Sequence, residues 1–409
     1  MMVPGTYSGQ PLPDGWRWVR LGDVIQEVQA GFACGERDAE GIVQLRMNNL
    51  DTRGNFIWDD VLRVPRSSKN IEPFLLMPGD VLFNNTNSTE LVGKSALFTG
   101  YTEPVVYSNH FTRLRSISDA LLPDVLASWL NQQWQQGVFA DLCNRWIGQS
   151  AVKADKLLNL QIPLPPLAEQ RRIAGALREQ MAAVEKAREA AQARLEAVKA
   201  LPVAFLRQVF PQPGQSLPDG WRWVKLGEVC QFVGGSQPSK GNFRYEPALG
   251  YVRLVQIQDF RLSNVAVFIP EQMALRTFEI SDVMIGRYGP PVFQILRGLS
   301  GAYNVALMKT VPSEILDKDF LYFLLRWPPI QRDVITQSQR SAGQSGVQKE
   351  YLEKYVIPLP PMCQQRNIAA QLNEQMVAVE KARAGAEEEL NTINALPAAL
   401  LRRAFNGEI

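Results

Sequence analysis

The chain has 409 residues, of which 46% are hydrophobic and 21% are charged, and its formal net charge is +2 at pH 7. This length exceeds what a single core normally supports and predicts two or three domains. No apolar run reaches about 18 residues, and the first residues lack a basic-then-apolar signal pattern. We therefore expect a soluble, cytoplasmic protein rather than a membrane or secreted one.

The distribution of charges and cysteines says little about which molecules the chain binds. Residues 1–165 hold more acidic than basic side chains, whereas residues 166–210 and 211–358 lean basic. Any nucleic-acid contact must then come from local patches. Cys34, Cys143, Cys230 and Cys363 are scattered without a CxxC pair, which predicts reduced thiols and neither a disulfide framework nor a metal site.

The chain is an internal duplication. The stretch LPDGWRWVRLGD begins at Leu12 and returns as LPDGWRWVKLGE at Leu217. Each copy opens a region of mixed structure, which predicts an α+β fold class. Strand-like runs lie at 42–47, 81–83, 251–257 and 305–308, and helix-like runs at 125–135 and 320–326. PGDVLF near residue 80 parallels ISDVMI near 282, and GQSAVK near 150 parallels GQSGVQ near 345, so the frame is duplicated while the loops differ.

A longer repeat follows each of these regions, at 162–210 and again from 357. Both copies open with Ile-Pro-Leu-Pro-Pro, where prolines forbid helix, and then run into strong helix formers. Apolar residues recur at alternating four- and three-residue steps, as in the a/d seam of a coiled coil. The predicted seam residues are Leu177, Met181, Val184, Arg188, Leu195, Leu372, Met376, Val379, Arg383 and Leu390.

Two features interrupt these helices. Arg188 and Arg383 occupy the same heptad position, and we expect Glu185 and Glu380, one turn away, to neutralise them. The prolines at 202 and 397 predict a kink or an end of each rod. A narrow apolar stripe needs a partner, and tethering favours pairing of the two helices within one chain. The alternatives are that each helix packs on its own domain or dimerises with another chain.

The repeats divide the chain into four segments. We expect globular domains at 1–161 and 211–356, each followed by a helical segment, at 162–210 and 357–409. The stretch PQPGQS from Pro211 is the linker between the two halves.

The sequence contains no recognisable catalytic motif, so we predict no catalytic residue in this chain. No Pro-Pro pair has the context of a loop that receives a flipped base, and no carboxylate-x-Lys nuclease triplet occurs. Val92-Gly-Lys-Ser imitates the end of a phosphate loop, but its first glycine would fall at Ser88. His110 is the only histidine, without a visible nucleophile partner, and we expect it to be structural or a minor contact.

Residues suited to DNA are present in both halves. Asn84–Thr89 (the Asn loop) is a polar loop after a strand, and amides pair well with adenine. Its counterpart, residues 286–289 (the Arg loop), carries Arg287, the residue type that grips guanine, beside Tyr288. Surface charges without a ligand are the alternative for each basic position. The candidate DNA contacts are Asn84, Asn85, Asn87, Arg113, Arg115, Lys153, Arg287, Tyr288, Arg297 and Lys309.

Two variable domains that alternate with two near-identical helices, each begun by I-P-L-P-P-x-x-x-Q-R, resemble the specificity subunit of type I restriction-modification systems. The resemblance covers essentially the whole chain, including the final FNGEI. The second copy departs mildly, with Gln364 where the family usually has Glu.

The resemblance implies two target-recognition domains that each read half of a split, asymmetric DNA sequence. It implies that the helices form an antiparallel coiled coil, which acts as a spacer between the two domains. Two methyltransferase subunits would dock on this spacer, and restriction subunits would join the complex through them. S-adenosylmethionine, ATP and Mg²⁺ belong on those partners, and the chain itself is not an enzyme and binds no cofactor. The competing interpretations are a two-lobed coiled-coil adaptor that does not bind DNA and an enzyme without a known motif.

Overall fold

The computed structural model describes residues 12–67, 70–212, 214–261, 265–289, 291–340 and 346–409. The chain forms two compact units, unit 1 with residues 1–192 and 388–409, and unit 2 with residues 193–387. Each of the two long helices therefore contributes residues to both units. Among the described residues, no helix is both long and apolar enough to cross a membrane.

Unit 1 begins with short strands and ends with a long helix. Its strands are β1 (Arg17–Arg20), β2 (Ile25–Ala30), β3 (Ile42–Leu45), β4 (Leu62–Val64), β5 (Val81–Asn84), β6 (Thr86–Asn87), β7 (Ser95–Leu97), β8 (Val105–Tyr107), β9 (Phe111–Ser116), β10 (Asn144–Trp146), β11 (Gln149–Ala151) and β12 (Gln161–Leu164). Its helices are α1 (Pro123–Gln135), α2 (Val138–Leu142), α3 (Ala154–Leu158) and the first part of α4 (Leu167–Val209), with 3-10 turns at Leu21–Val24, Met47–Asn49 and Glu72–Phe74.

Unit 2 repeats this order. Its strands are β13 (Arg222–Lys225), β14 (Cys230–Gly234), β15 (Tyr251–Val255), β16 (Phe268–Pro270), β17 (Thr277–Phe278), β18 (Met284–Gly286), β19 (Gln294–Leu296), β20 (Gly301–Tyr303), β21 (Leu307–Pro312) and β22 (Val356–Leu359). Its helices are α5 (Leu226–Val229), α6 (Lys318–Leu325), α7 (Pro328–Arg340), α8 (Lys349–Lys354) and the first part of α9 (Met362–Phe405), with 3-10 turns at Lys240–Asn242, Ile257–Phe260 and Glu271–Met273.

The two units share the order of the central sheet and the core of a second sheet, whereas β17 and the sheet β10-β11-β6 each belong to one unit. The central antiparallel sheet has the order β2-β9-β5-β7 in unit 1 and β14-β21-β18-β19 in unit 2. A second sheet has a parallel pair, β3 with β8 and β15 with β20, and an antiparallel neighbour, β4 and β16. The duplicated frame predicted from the sequence is thus confirmed. The predicted strand at 305–308 begins later, at Leu307, because Val305 and Ala306 lie in the preceding turn.

The two repeated sequence motifs of each half pair with each other. β1, from the Trp-Arg-Trp-Val motif, runs antiparallel to β12, from the proline motif, and places Trp18 opposite Pro163. β13 and β22 repeat the register, with Trp223 opposite Pro358. Proline lacks an N–H and suits such a two-stranded edge.

A buried glutamine joins each proline motif to its helix. Gln170 is 0% exposed, accepts from the Leu122 N–H at 2.8 Å, and donates to the carbonyls of Ala120 and Pro165 at 2.8 and 2.9 Å. In unit 2, Gln365 is also 0% exposed and makes the equivalent three bonds, to Asp317 N–H and to the carbonyls of Ile315 and Pro360. The glutamine therefore satisfies backbone groups that the prolines and the helix start would leave unpaired.

Gln170→Leu should lower the free energy of unfolding of the chain by about 2 kcal/mol or more, because the buried Pro165 carbonyl and two half-buried backbone groups lose their partner, at about 1–3 kcal/mol for a fully buried group. Chemical denaturation measures this loss. Arg171→Ala, at the exposed neighbouring position, is the matched control and should stay within about 0.5 kcal/mol. Equal stability of the two variants would contradict the role of the glutamine.

The cores include both ends of the long helices. In unit 1, Ile173 and Leu177 of α4 join a cluster with Leu401 and Phe405 of α9. In unit 2, Leu206 of α4 and Phe210 join a cluster with Ala369 and Leu372 of α9. The start of each long helix thus packs on the domain that precedes it, in a cluster that also holds the end of the other long helix.

The seam has the exposure pattern of a narrow apolar stripe. Leu177, Leu195, Leu372 and Val379 are buried. Met181, Val184, Arg188, Met376 and Leu390 are half-buried, and Arg383 is exposed. Arg188 pairs with Glu185, and Arg383 with Glu380 at 2.7 Å, so the predicted neutralisation is confirmed.

Of the two predicted outcomes for the prolines, a kink or an end of the helix, the end does not occur. Pro202 lies within α4, which continues to Val209, and Pro397 lies within α9, which continues to Phe405. A helix-interior proline costs about 3 kcal/mol. Burial of apolar side chains beyond each proline offsets that cost: these are Leu206 in α4 and Phe210 directly after it, and Leu401 and Phe405 in α9.

Candidate nucleic-acid interface

The Asn loop of unit 1 is held by its own side chains. Asn84, at the end of β5, is 0% exposed and donates to the carbonyls of Thr86 and His110 at 3.1 and 2.9 Å. Its carboxamide oxygen accepts from Asn87 at 2.6 Å. Asn84 is therefore a structural residue that shapes the loop. Asn85 and Asn87 are half-buried, and their amides bond within the domain as well: the oxygen of Asn85 accepts from the Thr86 hydroxyl at 2.7 Å, and that of Asn87 accepts from the Ser88 N–H at 2.8 Å.

A second turn lies beside the Asn loop. Asn85 donates to the Thr112 hydroxyl at 3.0 Å and to the Asn109 carbonyl at 3.3 Å. Burial lowers the pKa of His110 below its ordinary 6.5, and the positive charge of Arg46 lowers it further. A neutral imidazole and several amides thus line this edge near pH 7, a surface of donors and acceptors without a fixed charge on the histidine.

The Arg loop of unit 2 occupies the equivalent place. The Arg287 N–H donates to the Ala306 carbonyl at 2.9 Å, and the Arg287 carbonyl accepts from Val347 at 3.0 Å. In unit 1, Asn85 bonds in the same way to His110 and Val152, at 3.0 and 2.9 Å. Asn85 and Arg287 are therefore equivalent, as the sequence predicted for their loops.

Among the residues that the structure describes, the side chain of Arg287 is positioned by an aromatic ring and pairs with no acid. Its guanidinium carbon lies 5.2 Å from the centroid of the Tyr288 ring, which restricts its orientation. Within the described part of the chain, its Nε is buried without a hydrogen-bond partner. Tyr288 itself is exposed. This arrangement presents a planar cation at the edge of the sheet.

Two of the predicted DNA contacts in unit 1 are structural. Arg113 is 1% exposed, donates to the carbonyls of Pro73 and Leu75, and pairs with Glu27. Arg115 bridges Asp80 and Glu27, each at 2.6 Å. The prediction failed for Arg113 because its partners come from distant strands, and its guanidinium is consumed inside the domain.

Lys309 has the equivalent role in unit 2. It pairs at 2.6 Å with Asp282, the counterpart of Asp80, and Lys318 pairs with the same carboxylate. Burial opposes ionisation of this carboxyl, but hydrogen bonds from the Glu279 N–H and from the two lysines outweigh it and lower the pKa of Asp282 to about 2. Lys309 thus neutralises a buried charge.

Lys309→Met should lower the free energy of unfolding by about 2 kcal/mol at pH 7, because Asp282 loses a charged hydrogen-bond partner. The stability that the depressed pKa supplies is present above pH 3.8 and is lost as pH falls through about 2. The variant should therefore begin acid unfolding at higher pH than the wild type. A pH series of denaturation curves tests this. Unchanged stability with weakened DNA binding would instead make Lys309 a ligand contact.

The remaining basic candidates are Arg297 in unit 2 and Lys153 in unit 1. Arg297 bonds Asp319 at 2.8 Å and Asn373 at 2.9 Å, and its guanidinium stacks 3.9 Å from the Tyr322 ring centroid. It therefore fixes the start of α9 to α6. Lys153 is exposed, directly before α3. The predicted landmark at Gly343 lies outside the described residues.

Sequence reasoning missed the hairpin formed by β10 and β11. β11 pairs with β6, placing Asn87 opposite Ser150, and the hydroxyls of Thr89 and Ser150 lie 2.8 Å apart. The Asn loop and this hairpin therefore form one small sheet. The available signal was the apolar pair Trp146-Ile147 before a glycine in an otherwise polar stretch.

Cysteines and metal ligands add no site. All four cysteines are free, and burial raises the pKa of Cys230 to about 12. In the parts of the chain that the structure describes, no three His, Cys, Asp or Glu side chains are grouped so as to hold a metal ion.

Comparisons with known proteins agree with this duplicated architecture. The family of the type I restriction modification DNA specificity domain matches twice, over residues 13–192 and 218–382. The protein assigned as the type I restriction enzyme MjaX specificity subunit of Methanocaldococcus jannaschii is 24% identical, over 88% of this chain and 87% of that protein. The EcoKI specificity subunit of Escherichia coli K12 is 22% identical, over 98% of this chain and 91% of that protein.

Two solved structures share the fold. One, reported for the complex assembly and conformational transition of the type I R-M system, has a TM-score of 0.79 at 24% identity and covers 98% of this chain and 100% of that chain. The HsdS subunit from Thermoanaerobacter tengcongensis has a TM-score of 0.63 at 24% identity, with coverage of 98% and 99%. Since the family matches both halves, this chain belongs to the type I restriction-modification DNA specificity family, as a specificity subunit.

Proposed function

We propose that the chain reads a two-part, asymmetric DNA sequence, one part with each unit. The observation that carries this proposal is the pair of equivalent strand ends with different chemistry, Asn85 in unit 1 and Arg287 in unit 2. An amide matches the N6 and N7 edge of adenine, and a guanidinium matches O6 and N7 of guanine. The neighbouring turn differs as well, with Asn109-His110 in one unit and Val305-Ala306 in the other. The two half-sites should then differ, without a palindrome.

The spacing between the half-sites is set, in this proposal, by an antiparallel coiled coil of α4 and α9. The heptad seam supports it. So do the contacts within each unit: the start of α4 meets the end of α9 in unit 1, and the end of α4 meets the start of α9 in unit 2. Such ends meet when two helices run in opposite directions.

Catalysis, in this proposal, belongs to partner subunits in the cytoplasm. Two methyltransferase subunits would dock on the exposed helix faces and bring S-adenosylmethionine, and restriction subunits would add ATP- and Mg²⁺-dependent steps through them. The target-recognition domains of this chain would hold the DNA in register. The isolated chain should transfer no methyl group.

A gel shift of the assembled complex over a series of salt concentrations tests DNA binding. Each phosphate that is neutralised steepens the slope of log affinity against log salt by about 0.9. We expect affinity to fall steeply with salt. We also expect the complex to bind the sequence that the system methylates more tightly than a duplex with a scrambled sequence. No binding at low salt, with intact subunit assembly, would favour the alternative of a two-lobed adaptor.

A further inference from the structure

The β10–β11 hairpin of unit 1 ends in two apolar side chains that point into solvent. Trp146 is 61% exposed, and Ile147 is fully exposed. The turn is made by Gly148, whose φ of +82° is strained for other residues. Adjacent exposed large apolar residues on a fixed turn indicate a contact with a partner.

The surroundings of the tip identify that partner as DNA. β11 is bonded to β6 of the Asn loop, so the tip and the proposed base-reading amides belong to one sheet. Arg145 precedes the tip and Lys153 follows the base of the hairpin; both are exposed, Arg145 donates to the Ala140 carbonyl at 3.0 Å, and residues 144–153 contain no acid. Glu90 lies close enough to Arg145 to feel its positive charge. Two apolar side chains among amides, hydroxyls and cations fit a nucleic-acid groove better than the broad apolar centre of a protein interface.

We infer that Trp146 and Ile147 form a wedge that contacts bases of the first half-site, next to those read by the Asn loop. This inference rests on the proposed function. Apolar side chains that enter a base step unstack it partly and bend the duplex. The flat indole would stack on the exposed base face, and Ile147 would fill the remaining space, while Arg145 and Lys153 lie near phosphates.

The test uses the complex assembled with its modification subunits. The DNA is a set of duplexes with the target sequence that the system methylates, each with 2-aminopurine at one position of the first half-site. Trp146→Ala should weaken binding about 10-fold or more, the loss that removal of one base-stacking aromatic causes. Its salt slope should equal that of the wild type, because no phosphate contact is lost. The 2-aminopurine fluorescence rise at the wedged step should disappear, and Trp146→Phe should recover most of both effects.

Two matched controls separate the wedge from other causes. Arg145→Ala with Lys153→Ala should reduce the salt slope, since phosphate contacts are removed. Leu249→Ala removes an equally exposed apolar side chain in unit 2 and should change nothing.

Three results would overturn the inference in different ways. Trp146→Ala complexes that keep full affinity and the fluorescence rise would exclude the wedge and leave the proposed function intact. Loss of modification subunits from this variant, seen by size-exclusion chromatography, would show that the tip docks protein. Wild-type complexes without sequence-specific DNA binding would refute the proposed function together with the wedge.

Discussion

Insertion of one heptad into both long helices, after Ala190 in α4 and after Gly385 in α9, is expected to move methylation to targets with a longer gap. Seven helical residues add about 10 Å, which is roughly 3 bp at about 3.4 Å per base pair. A seven-residue insertion keeps the a/d seam in phase. The original target should no longer be methylated, and the base sequence of each half-site should stay the same. Mapping of methylated adenines in cells that express the complete system measures this.

The matched control inserts seven residues into the linker after Gln215, where no helix is lengthened. That variant should methylate the original target. If the heptad variant also kept the original gap, or changed letters in both half-sites, the helices would not set the spacing.

Arg287→Ala is expected to relax specificity at one base pair of the second half-site by about 10- to 100-fold, because a bidentate guanidinium contact contributes about 1–3 kcal/mol of discrimination. Arg287→Lys keeps the charge but not the fork of donors, and should relax the same position. Methylation rates on duplexes that vary one position at a time measure the change.

Asn85→Ala is the equivalent substitution in unit 1 and should relax a position in the first half-site only. An Arg287→Ala protein that bound all sequences more weakly by the same factor, with a smaller salt slope, would identify Arg287 as a phosphate contact. It would then carry no sequence information.

The duplicated frame was predictable because its signals are local. Short aligned motifs around Asp80 and Asp282 located the same strand in both halves, and β5 and β18 confirm it. The neutralisation of Arg188 by Glu185 was predictable for the same reason, since residues three apart on a helix are neighbours.

The roles of the strand cations were not predictable because their partners are distant in sequence. Arg113 and Arg115 face Glu27 and Asp80 only once β2, β5 and β9 lie side by side. When the neighbouring strands are unknown, the sequence does not show whether a basic residue binds a phosphate or pairs with a buried carboxylate. Gln170 is a similar case: two of its three backbone partners, Ala120 and Leu122, lie on a segment that the proline motif does not reveal.

The continuation of both helices through proline also depends on tertiary packing. The local cost of Pro202 is readable in the sequence, but the burial of Leu206 and Phe210 in the core of unit 2 is not. Propensity therefore predicted a kink or an end, whereas the helix continues for about two more turns, which carry the buried Leu206.

The central claim is that each unit reads its own half of a split DNA target. Its most direct test is methylome mapping of the complete system after residues 1–160 are replaced by the first domain of another family member. The account predicts that one half-site changes while the other half-site and the gap stay the same. Change of both half-sites, or of neither, would contradict it.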